Sequence, residues 1–554
     1  MTPWKALAEG HRTKRDALIP PEWILSEERL LKLSGADTCD AGRLIALDVF
    51  SRSELLSDEE IEITTRYDAT ILLRKIATGV LSSEAVVVAF CKRAALAQQW
   101  TSCLTEVFFQ EAIERARGLD KYLKENKRTS GPLHGLPISL KDSFQVKGHY
   151  ATLGYTKSLD GEASNTNSAL VYLLLDAGAV FYCKTNIPQT MMTADSENNI
   201  FGRTLNPHKT SLTAGGSSGG EGALVAARGS PLGVGTDIAG SIRIPSLCCG
   251  IYGFKPTCNR VPYGGQAWAP FPRLGFPGGI SPSAGPLANS VEDLALFMEV
   301  VIQKRPWTYD PTALDLDWRK IELGRQKNLT IGILAEDPEY PLMPPVRRTL
   351  SEATDKLSRA GHTIIHLPAD LSCGVGLAGR LAYQFYGLVK AGFECAEEIT
   401  GEPPIKSVAL GVHPFSMAGF PVRPDLDLPE KIDHLTAARE NFAIAWQEKW
   451  RDNNLDVVVS PGSNTTAVPH DTYGCPVYTM IWNLLDFPAG IIPFGKSSMK
   501  VDARCEKAEG AFEADYDPSA WDGAPCAIQV VAPRFRDEEC LAAMRIIDQD
   551  LRRP

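Results

Sequence analysis

The stretch Gly131-Pro-Leu-His-Gly-Leu-Pro-Ile-Ser-Leu-Lys-Asp142 contains a short apolar run that ends in two charged residues. Residues 137–140 have the composition of a buried strand, and residues 179–183 form a second run of this kind. Between them, residues 168–177 form an apolar segment of helical length that is closed by Gly178. This alternation of strand, helix and strand predicts an α/β fold built on a β-sheet.

The alternation continues in the second half of the chain. Residues 330–334, 363–367 and 455–460 have the pattern of strands, and residues 344–360 have that of a helix. We find no repeat of fixed period and no low-complexity tract. These patterns favour one large α/β enzyme, although a prior based on length alone would suggest several domains.

The N-terminal residues have a more helical and charged character. Apolar residues recur at helical spacing over 61–79 and again over 82–99, where Ser82 or Ser83 can serve as the N-cap. We therefore divide the chain into an N-terminal helical segment, 1–80, packed on the core, and a main α/β domain, 81–554, that carries the chemistry.

The composition is that of an ordinary globular protein. Of the 554 residues, 44% are apolar and 22% are charged, and the formal net charge is -10. An acidic surface repels phosphate backbones, so we expect no nucleic-acid partner. We find no secretory signal and no stretch of about 20 apolar residues that could span a bilayer. The 13 cysteines form no C-x-x-C pair, which favours reduced thiols and a cytoplasmic location.

The glycine-rich segment Gly215-Gly-Ser-Ser-Gly-Gly-Glu221 is the first candidate for a functional loop. It leads into a predicted helix of small residues, 219–228, and glycines let a substrate approach the backbone closely. The free N–H groups at such a helix start can face an anion or a developing oxyanion. Taken alone, the cluster is explained equally well as a flexible turn.

A second candidate is Gly233-Val-Gly-Thr-Asp-Ile-Ala-Gly-Ser-Ile-Arg-Ile-Pro245, which follows a predicted strand at 232–236. Its tight turn would place the Ser241 hydroxyl beside several backbone N–H groups, an arrangement suited to a nucleophile with an oxyanion hole. Asp237 and Arg243 could form an ion pair beneath the turn. A plain junction between strand and loop remains the commoner explanation for such a segment alone.

Two lysines compete for the role of a general base. Lys141 and Lys184 each close an apolar strand, and a lysine in that position commonly extends to solvent. A lysine acts as a base only when it is neutral, which requires burial or neighbouring cations to lower its pKa from about 10.4. The local pattern does not distinguish the two.

Taken together, the three motifs resemble the amidase signature family, with fungal acetamidases as the most similar members. The match comprises residues 131–142, 215–221 and 233–245, with Ser217 and Ser241 spaced 24 residues apart. It extends over most of the chain from about Ile61. The resemblance implies one α/β domain in which a large mixed central sheet is flanked by helices.

The resemblance also implies specific roles. Ser241 would be the nucleophile, Lys141 the base, and Ser217, reached through a cis peptide after Gly216, the proton relay between them. The N–H groups of Ile238, Ala239, Gly240 and Ser241 would form the oxyanion hole, with Asp237 and Arg243 in support. Ser218 and Met191 would lie at the substrate pocket. No metal and no organic cofactor is required by this mechanism.

One position departs from the common family pattern. Ala239 stands where many members have glycine, so the oxyanion hole survives only if this residue does not need a positive φ. We expect a slightly narrower acyl pocket, not a loss of activity.

Three alternatives stay open from the sequence. Gly216-Ser-Ser-Gly-Gly220 also fits the G-x-S-x-G motif of an α/β-hydrolase with Ser218 as nucleophile, but residues 206–214 are not the buried strand that this motif needs. A family member that supplies ammonia for tRNA-dependent amidation would need partner subunits, and the acidic charge argues against it. A binding protein without catalysis is disfavoured because all three catalytic positions hold competent residues.

The substrate is the least determined feature. We expect a small carboxylic amide, aliphatic or aryl and primary, while a secondary amide or a specialised metabolite remains the alternative. Trp268, Phe271 and Phe276 either shape the acyl pocket or pack in an ordinary loop. The oligomeric state, including a homodimer, is not determined by the sequence.

Overall fold

A mixed β-sheet forms the centre of the molecule in the computed structural model, which describes residues 2–35, 38, 40–267, 279–321, 328–370, 372–388, 401–410, 425–506 and 515–553. The strands of the described residues are β1 (Leu104–Val107), β2 (Pro137–Lys141), β3 (Val180–Thr185), β4 (Glu197–Asn198), β5 (Gly202–Arg203), β6 (Leu232–Asp237), β7 (Tyr252–Lys255), β8 (Ser283–Ala288), β9 (Thr330–Ile333), β10 (Thr363–His366), β11 (Val457–Pro461), β12 (Ala489–Lys496) and β13 (Pro525–Val531). Within this part of the chain, 11 strands form the central sheet in the order β1-β3-β2-β6-β8-β7-β12-β13-β11-β9-β10, while β4 and β5 pair separately.

The α-helices of the described residues flank this sheet. They are α1 (Pro3–Asp16), α2 (Glu27–Leu33), α3 (Asp58–Arg66), α4 (Ala69–Ala77), α5 (Ser83–Thr101), α6 (Phe109–Asn126), α7 (Ala169–Asp176), α8 (Gly219–Ala226), α9 (Arg243–Cys249), α10 (Val291–Gln303), α11 (Pro344–Arg359), α12 (Val375–Gly387), α13 (Lys406–Leu410), α14 (Leu428–Asp452), α15 (Val477–Leu484), α16 (Pro518–Trp521) and α17 (Asp537–Arg552).

The direction of the strands matters most around β2, near the middle of one half of the sheet. β2 is parallel to both of its neighbours, β3 and β6, whereas β6 is antiparallel to β8. The sheet is therefore mixed, and the predicted α/β fold with a mixed central sheet flanked by helices is confirmed. Because parallel neighbours end at the same edge, the last residues of β2, β3 and β6 lie together.

The glycines of α8 let this helix pack unusually close to the sheet. A Cβ atom at Gly220 would lie 2.2 Å from the backbone nitrogen of Asn186, just beyond β3. At Gly222, a Cβ atom would lie 3.0 Å from the Cβ atom of Pro245 in α9. The small residues of the motif thus hold its two serines against the ends of the strands.

The helices near the N-terminus differ from the sequence prediction at one point. The predicted single helix over 61–79 is two helices, α3 and α4, because Asp68 accepts a hydrogen bond from the Ile71 N–H and begins a new helix. In α5, by contrast, Ser82 serves as the N-cap by accepting from the Ala85 N–H. The N-terminal segment contacts the main sheet where Arg15 donates to the Leu104 carbonyl at 2.8 Å. The proposed boundary at residue 80 stays a prediction.

Two further features concern the whole described chain. Its cysteines carry free thiols, and all of them except Cys505 are buried. In the described ranges we find no helix with both the length and the apolar character needed to cross a membrane.

Candidate active site

The ends of two neighbouring strands and the starts of two helices meet at the candidate site. Lys141 is the last residue of β2, and Asp237 is the last residue of its neighbour β6. Ser217 and Ser218 precede α8, while Ser241 precedes α9. The Ser218 N–H donates to the Ser241 carbonyl at 3.2 Å, which joins the two glycine-rich motifs side by side.

Ser217 lies directly over the end of β2. Its peptide bond to Gly216 is cis, and its Oγ lies 2.7 Å from Lys141 Nζ. A second hydroxyl, Thr236 Oγ1, lies 2.8 Å from the same Nζ atom. A Cβ atom at Gly216 would lie 2.3 Å from the Thr193 carbonyl oxygen, so only glycine lets the segment after Met191 pack against the serine loop.

Lys141 is fully buried, and its burial changes its acidity. Removal from solvent lowers the pKa of Lys141 to about 7, although the charges of Asp237, Glu221 and Asp142 act in the opposite direction. An amine with a pKa near 7 is neutral in a large fraction of molecules at physiological pH. The lysine can therefore accept a proton from the hydroxyl that it contacts.

Lys184 occupies a different environment at the end of β3. Its Nζ donates to the Tyr150 carbonyl and lies 3.9 Å from Asp142 Oδ1, with both side chains buried. Burial lowers the pKa of Lys184, and Asp142 opposes that effect. Of the two candidate lysines, Lys141 is the one that contacts the Ser217 hydroxyl in the described structure.

The turn after β6 contains the predicted oxyanion hole. Gly240 has a φ of 127°, and a Cβ atom there would lie 2.3 Å from Thr479 Oγ1, so both the backbone conformation and the available space require glycine. Ala239 does not have a positive φ. The substitution of alanine for the family's glycine is therefore compatible with the turn.

The N–H groups of the turn have different partners. The Gly240 N–H, one of the four predicted oxyanion donors, donates to Asp237 Oδ1 at 2.8 Å in the described structure, and its role in the oxyanion hole stays a prediction. Within the described residues, no protein acceptor is bonded to the N–H groups of Ile238, Ala239 or Ser241. Gly240 thus supplies the shape of the turn, and the N–H groups of the other three residues have no protein acceptor in the described structure; the oxyanion hole itself stays a prediction.

A buried ion pair supports the turn from below. Arg243 Nε and Nη2 donate to the two oxygens of Asp237 at 3.0 and 2.9 Å. Burial alone would raise the pKa of Asp237, but the Arg243 guanidinium outweighs it and holds that pKa well below its usual range. Arg243 also donates to Asn483 Oδ1 at 2.6 Å and to Gln529 Oε1 at 2.9 Å, which ties the turn to α15 and β13.

Comparison with known proteins agrees with this geometry. The family model described as Amidase matches residues 85–541. An "Amidase" of Gibberella moniliformis is 42% identical over 555 residues, covering 99% of each chain. An "Acetamidase" of Emericella nidulans is 36% identical and covers 97% of this chain and 96% of its own. The chain belongs to the amidase family. It is an enzyme that hydrolyses amide C–N bonds.

The solved structure titled "Fatty acid amide hydrolase" is similar to this amidase over the whole fold. The TM-score is 0.89 at 32% identity, and the match covers 100% of this chain and 96% of that one. The resemblance to the amidase signature family inferred from the three motifs is confirmed.

Ser218, the alternative nucleophile of an α/β-hydrolase, is more buried than Ser241, and its predicted place at the substrate pocket stays a prediction. Its side chain is completely buried, and its hydroxyl lies 3.5 Å from both the backbone nitrogen and the carbonyl oxygen of Thr236. Ser241 is 8% exposed and Ser217 is 2% exposed. Ser218 therefore serves to hold α8 against β6, and the α/β-hydrolase alternative is not supported by this geometry.

Glu221, the last residue of the first glycine-rich motif, lies buried between the strands that carry the site. It accepts hydrogen bonds from Ser139 at 2.6 Å and from Thr185 at 2.9 Å. Burial raises the pKa of Glu221 to about 7, although both hydrogen bonds and the charge of Lys141 oppose this effect. The glutamate joins α8 to β2 and β3 and so fixes Ser217 relative to Lys141.

Met191, which the family resemblance assigns to the substrate pocket, lies between β3 and β4, and that assignment stays a prediction. It packs against Leu153 and Tyr155, and its φ of 58° belongs to a tight turn after β3. Trp268, Phe271 and Phe276 lie outside the described residues. A separate cavity of about 970 Å³ is lined by Trp450, Phe487 and Asn483, among others, but not by the lysine or the serines of the site.

Several residues of the site were not found from the sequence. Thr236 stands in a quoted motif without a role assigned to it, and Thr479 and Tyr386 contact the oxyanion turn from distant helices. In the described ranges we find no group of three or more His, Cys, Asp or Glu side chains that could hold a metal ion. A reaction without a cofactor stays a prediction.

Proposed function

We propose that this amidase hydrolyses small primary carboxylic amides to the acid and ammonia, with Ser241 as nucleophile, Ser217 as proton relay and Lys141 as base. The observation that carries the proposal is the contact of 2.7 Å between Lys141 Nζ and Ser217 Oγ. A buried lysine with a pKa of about 7 beside a serine hydroxyl is a base in a suitable protonation state.

The first chemical step forms the acyl-enzyme. Neutral Lys141 takes a proton from Ser217, which takes the proton of Ser241 as that oxygen attacks the carbonyl carbon of the amide. No hydrogen bond joins the two serine hydroxyls in the described structure, and catalytic hydrogen bonds often tighten only in the substrate complex. The relay then returns the proton to the leaving nitrogen, the C–N bond breaks, and ammonia leaves.

The second step releases the acid. Water attacks the ester carbonyl of the acyl-enzyme while the same relay accepts its proton, and the Ser241 oxygen leaves as a restored hydroxyl. In both steps the negative oxygen would be held by the N–H groups of Ile238, Ala239 and Ser241. The loss of one such donor typically costs about 3 kcal/mol of transition-state stabilisation.

The preference for a small primary amide rests on the relatives. Two "Acetamidase" proteins, from Emericella nidulans and Aspergillus oryzae, are 36% and 34% identical over nearly the whole chain. A second candidate substrate is a secondary amide with a longer acyl chain, which the similarity to "Fatty acid amide hydrolase" favours. The two candidates differ in the leaving group, ammonia or an amine, and in the length of the acyl pocket.

A panel of amides tests the proposal directly. Acetamide, longer aliphatic amides, aryl amides and N-substituted long-chain amides are assayed for release of ammonia or amine. We expect the highest kcat/KM for a small primary amide, and a strong preference for N-substituted long-chain amides would replace it with the second candidate. Ammonia transfer to a misacylated tRNA would instead support an amidotransferase.

Two serine variants test the assignment of the nucleophile. We expect Ser241→Ala to abolish turnover and covalent labelling by a fluorophosphonate, because no oxygen remains at that position. Ser218→Ala is the matched control and should keep the label. Labelling that survives in Ser241→Ala and disappears in Ser218→Ala would exclude the proposed mechanism.

A further inference from the structure

Two side-chain hydroxyls hold the backbone carbonyls of the oxyanion turn. Tyr386, near the end of α12, donates to the Ile238 carbonyl at 2.6 Å. Thr479, in α15, donates to the Ala239 carbonyl at 2.7 Å. Two helices that are distant in the sequence thus hold the turn in place by hydrogen bonds.

The carbonyl of one residue and the N–H of the next belong to the same rigid unit. A trans peptide is planar and its C=O and N–H point in opposite directions. The hydrogen bond from Tyr386 to the Ile238 carbonyl therefore also fixes the direction of the Ala239 N–H. Donation to a carbonyl also polarises the amide, which makes its N–H a better donor.

The Ala239 N–H is a group whose direction matters. It has no acceptor within the described residues, unlike the Gly240 N–H, which is bonded to Asp237. The peptide between Ala239 and Gly240 is thus held at both ends, by Thr479 and by Asp237. The peptide between Ile238 and Ala239 is held at its carbonyl by Tyr386, and its other end is available to a substrate.

The residues around Tyr386 fix the position of its ring and keep its hydroxyl protonated, so that it can donate a hydrogen bond. Its ring packs edge-on against Tyr383 with centroids 6.1 Å apart, and Ile238 and Ala239 pack against the same apolar cluster. Burial, with a smaller effect from the charge of Asp237, holds the pKa of Tyr386 well above its usual range. The hydroxyl therefore keeps its proton at neutral pH and remains a hydrogen-bond donor.

We propose that Tyr386 is a positioning residue for catalysis, which directs the Ala239 N–H toward the negative oxygen of the tetrahedral intermediate. The inference rests on the proposed function, because it assumes that Ser241 attacks and that this turn receives the oxyanion. It assigns to α12 a part in the reaction although none of its side chains needs to touch the substrate.

The variant Tyr386→Phe removes the hydroxyl and leaves the ring. We expect kcat to fall roughly tenfold with KM unchanged, less than the hundredfold or more that removal of a direct oxyanion donor costs. A trifluoromethyl ketone, which forms a tetrahedral adduct with the nucleophile, should bind more weakly by the same factor. The affinity for the intact amide, measured as a Kd in enzymes that also carry Ser241→Ala, should not change, because a neutral carbonyl carries no full negative charge.

The matched control is Tyr383→Phe, on the same helix, whose hydroxyl interacts with Cys475. It should keep both kcat and the affinity for the trifluoromethyl ketone. Values of kcat are referred to the fraction of enzyme that a fluorophosphonate labels to completion, so that unfolded protein does not imitate the effect.

The outcomes separate the two proposals. If Tyr386→Phe retains wild-type kcat and inhibitor affinity while Ser241→Ala is inactive, the positioning role is wrong and the proposed function stands. Equal losses in Tyr386→Phe and Tyr383→Phe, or a loss of affinity for the intact amide in the Ser241→Ala background, would show a general effect on the pocket and also overturn the inference. A wild-type enzyme whose activity does not depend on Ser241 would overturn both.

Discussion

Replacement of Lys141 by methionine should abolish activity and at the same time stabilise the protein. Methionine has a similar length and no charge, so Lys141→Met removes the base and keeps the buried volume. The base is lost because Ser217 Oγ then has no amine within hydrogen-bonding distance. The gain in stability follows from the cost of keeping a lysine in a fully buried position.

The size of the gain in stability follows from the shift in the pKa of Lys141. Burial lowers the pKa of Lys141 from 10.5 to about 7. Since a tenfold change in proton affinity is worth about 1.4 kcal/mol, the folded state binds this proton less well than the unfolded chain by roughly 5 kcal/mol. Below about pH 7 both states are protonated and the wild type carries the whole penalty, whereas above about pH 10.4 both are neutral and it carries none.

The direction in which the free energy of unfolding changes with pH follows from this shift. Between about pH 7 and pH 10 the unfolded chain binds one more proton than the folded enzyme, so the stability of the wild type rises with pH at this site. The advantage of Lys141→Met in the free energy of unfolding should shrink by about 1.4 kcal/mol for each pH unit in that interval.

Urea unfolding followed by tryptophan fluorescence, at several pH values in that interval, measures the difference. Ser217→Ala is the control, because it is also expected to be inactive but keeps Lys141, and its stability should follow the wild type with pH. If the difference in the free energy of unfolding between wild type and Lys141→Met did not change with pH, the argument that the lysine is neutral in the folded enzyme would be refuted. The kcat/KM of the wild type should also fall on the acidic side with a midpoint near the pKa of about 7.

Two further variants examine the charges around the lysine. Arg243→Ala should lower the free energy of unfolding by about 3–5 kcal/mol, measured in urea, because it leaves the buried Asp237 carboxylate without its counter-ion; a change below about 1 kcal/mol would contradict this role. Glu221→Gln should move the acidic limb of kcat/KM to lower pH, because the charge of Glu221 raises the pKa of Lys141; a limb that stays in place or moves to higher pH would contradict it.

The sequence predicted the elements that carry the site better than those at the N-terminus. The predicted strands 137–140, 179–183 and 232–236 correspond to β2, β3 and β6, each with the apolar composition of a buried strand. The break between α3 and α4 is not visible in the apolar spacing, because that spacing continues across it. Asp68, an acceptable N-cap residue within that pattern, was the signal that could have revealed it.

The roles of individual residues are harder to predict from the sequence than the strands and helices. Lys141 and Lys184 have the same local pattern, and they differ in what surrounds them in the folded chain, which only long-range contacts decide. The orientation of the Gly240 N–H toward Asp237 cannot be predicted for a similar reason, since a run of N–H groups in sequence does not show which of them already has an acceptor. The family resemblance, not the local chemistry, was what assigned Ser217 and Lys141.

The carboxylates near Lys141 each have other partners. Asp142 accepts hydrogen bonds through Oδ2 from the backbone N–H groups of Thr152 and Leu153, at 2.7 and 2.9 Å. Glu221 accepts from two hydroxyls, and Asp237 is paired with Arg243. Each acid is therefore stabilised in the interior without a hydrogen bond from the Lys141 amine.

This division of partners explains how Lys141 can keep the lowered pKa that the proposed base requires. In the described structure its Nζ contacts the hydroxyls of Ser217 and Thr236, and no carboxylate lies within ion-pair distance of it. A direct ion pair would stabilise the ammonium form and raise the pKa of the lysine, as Asp142 does in part for Lys184. Hydroxyl groups accept hydrogen bonds from an ammonium and also donate to a neutral amine, so they can bind the lysine in both of its protonation states. The carboxylates around Lys141 thus lie close enough to offset part of the cost of burying its charge. In the described structure none of them is close enough to form an ion pair that would raise the pKa of the lysine further.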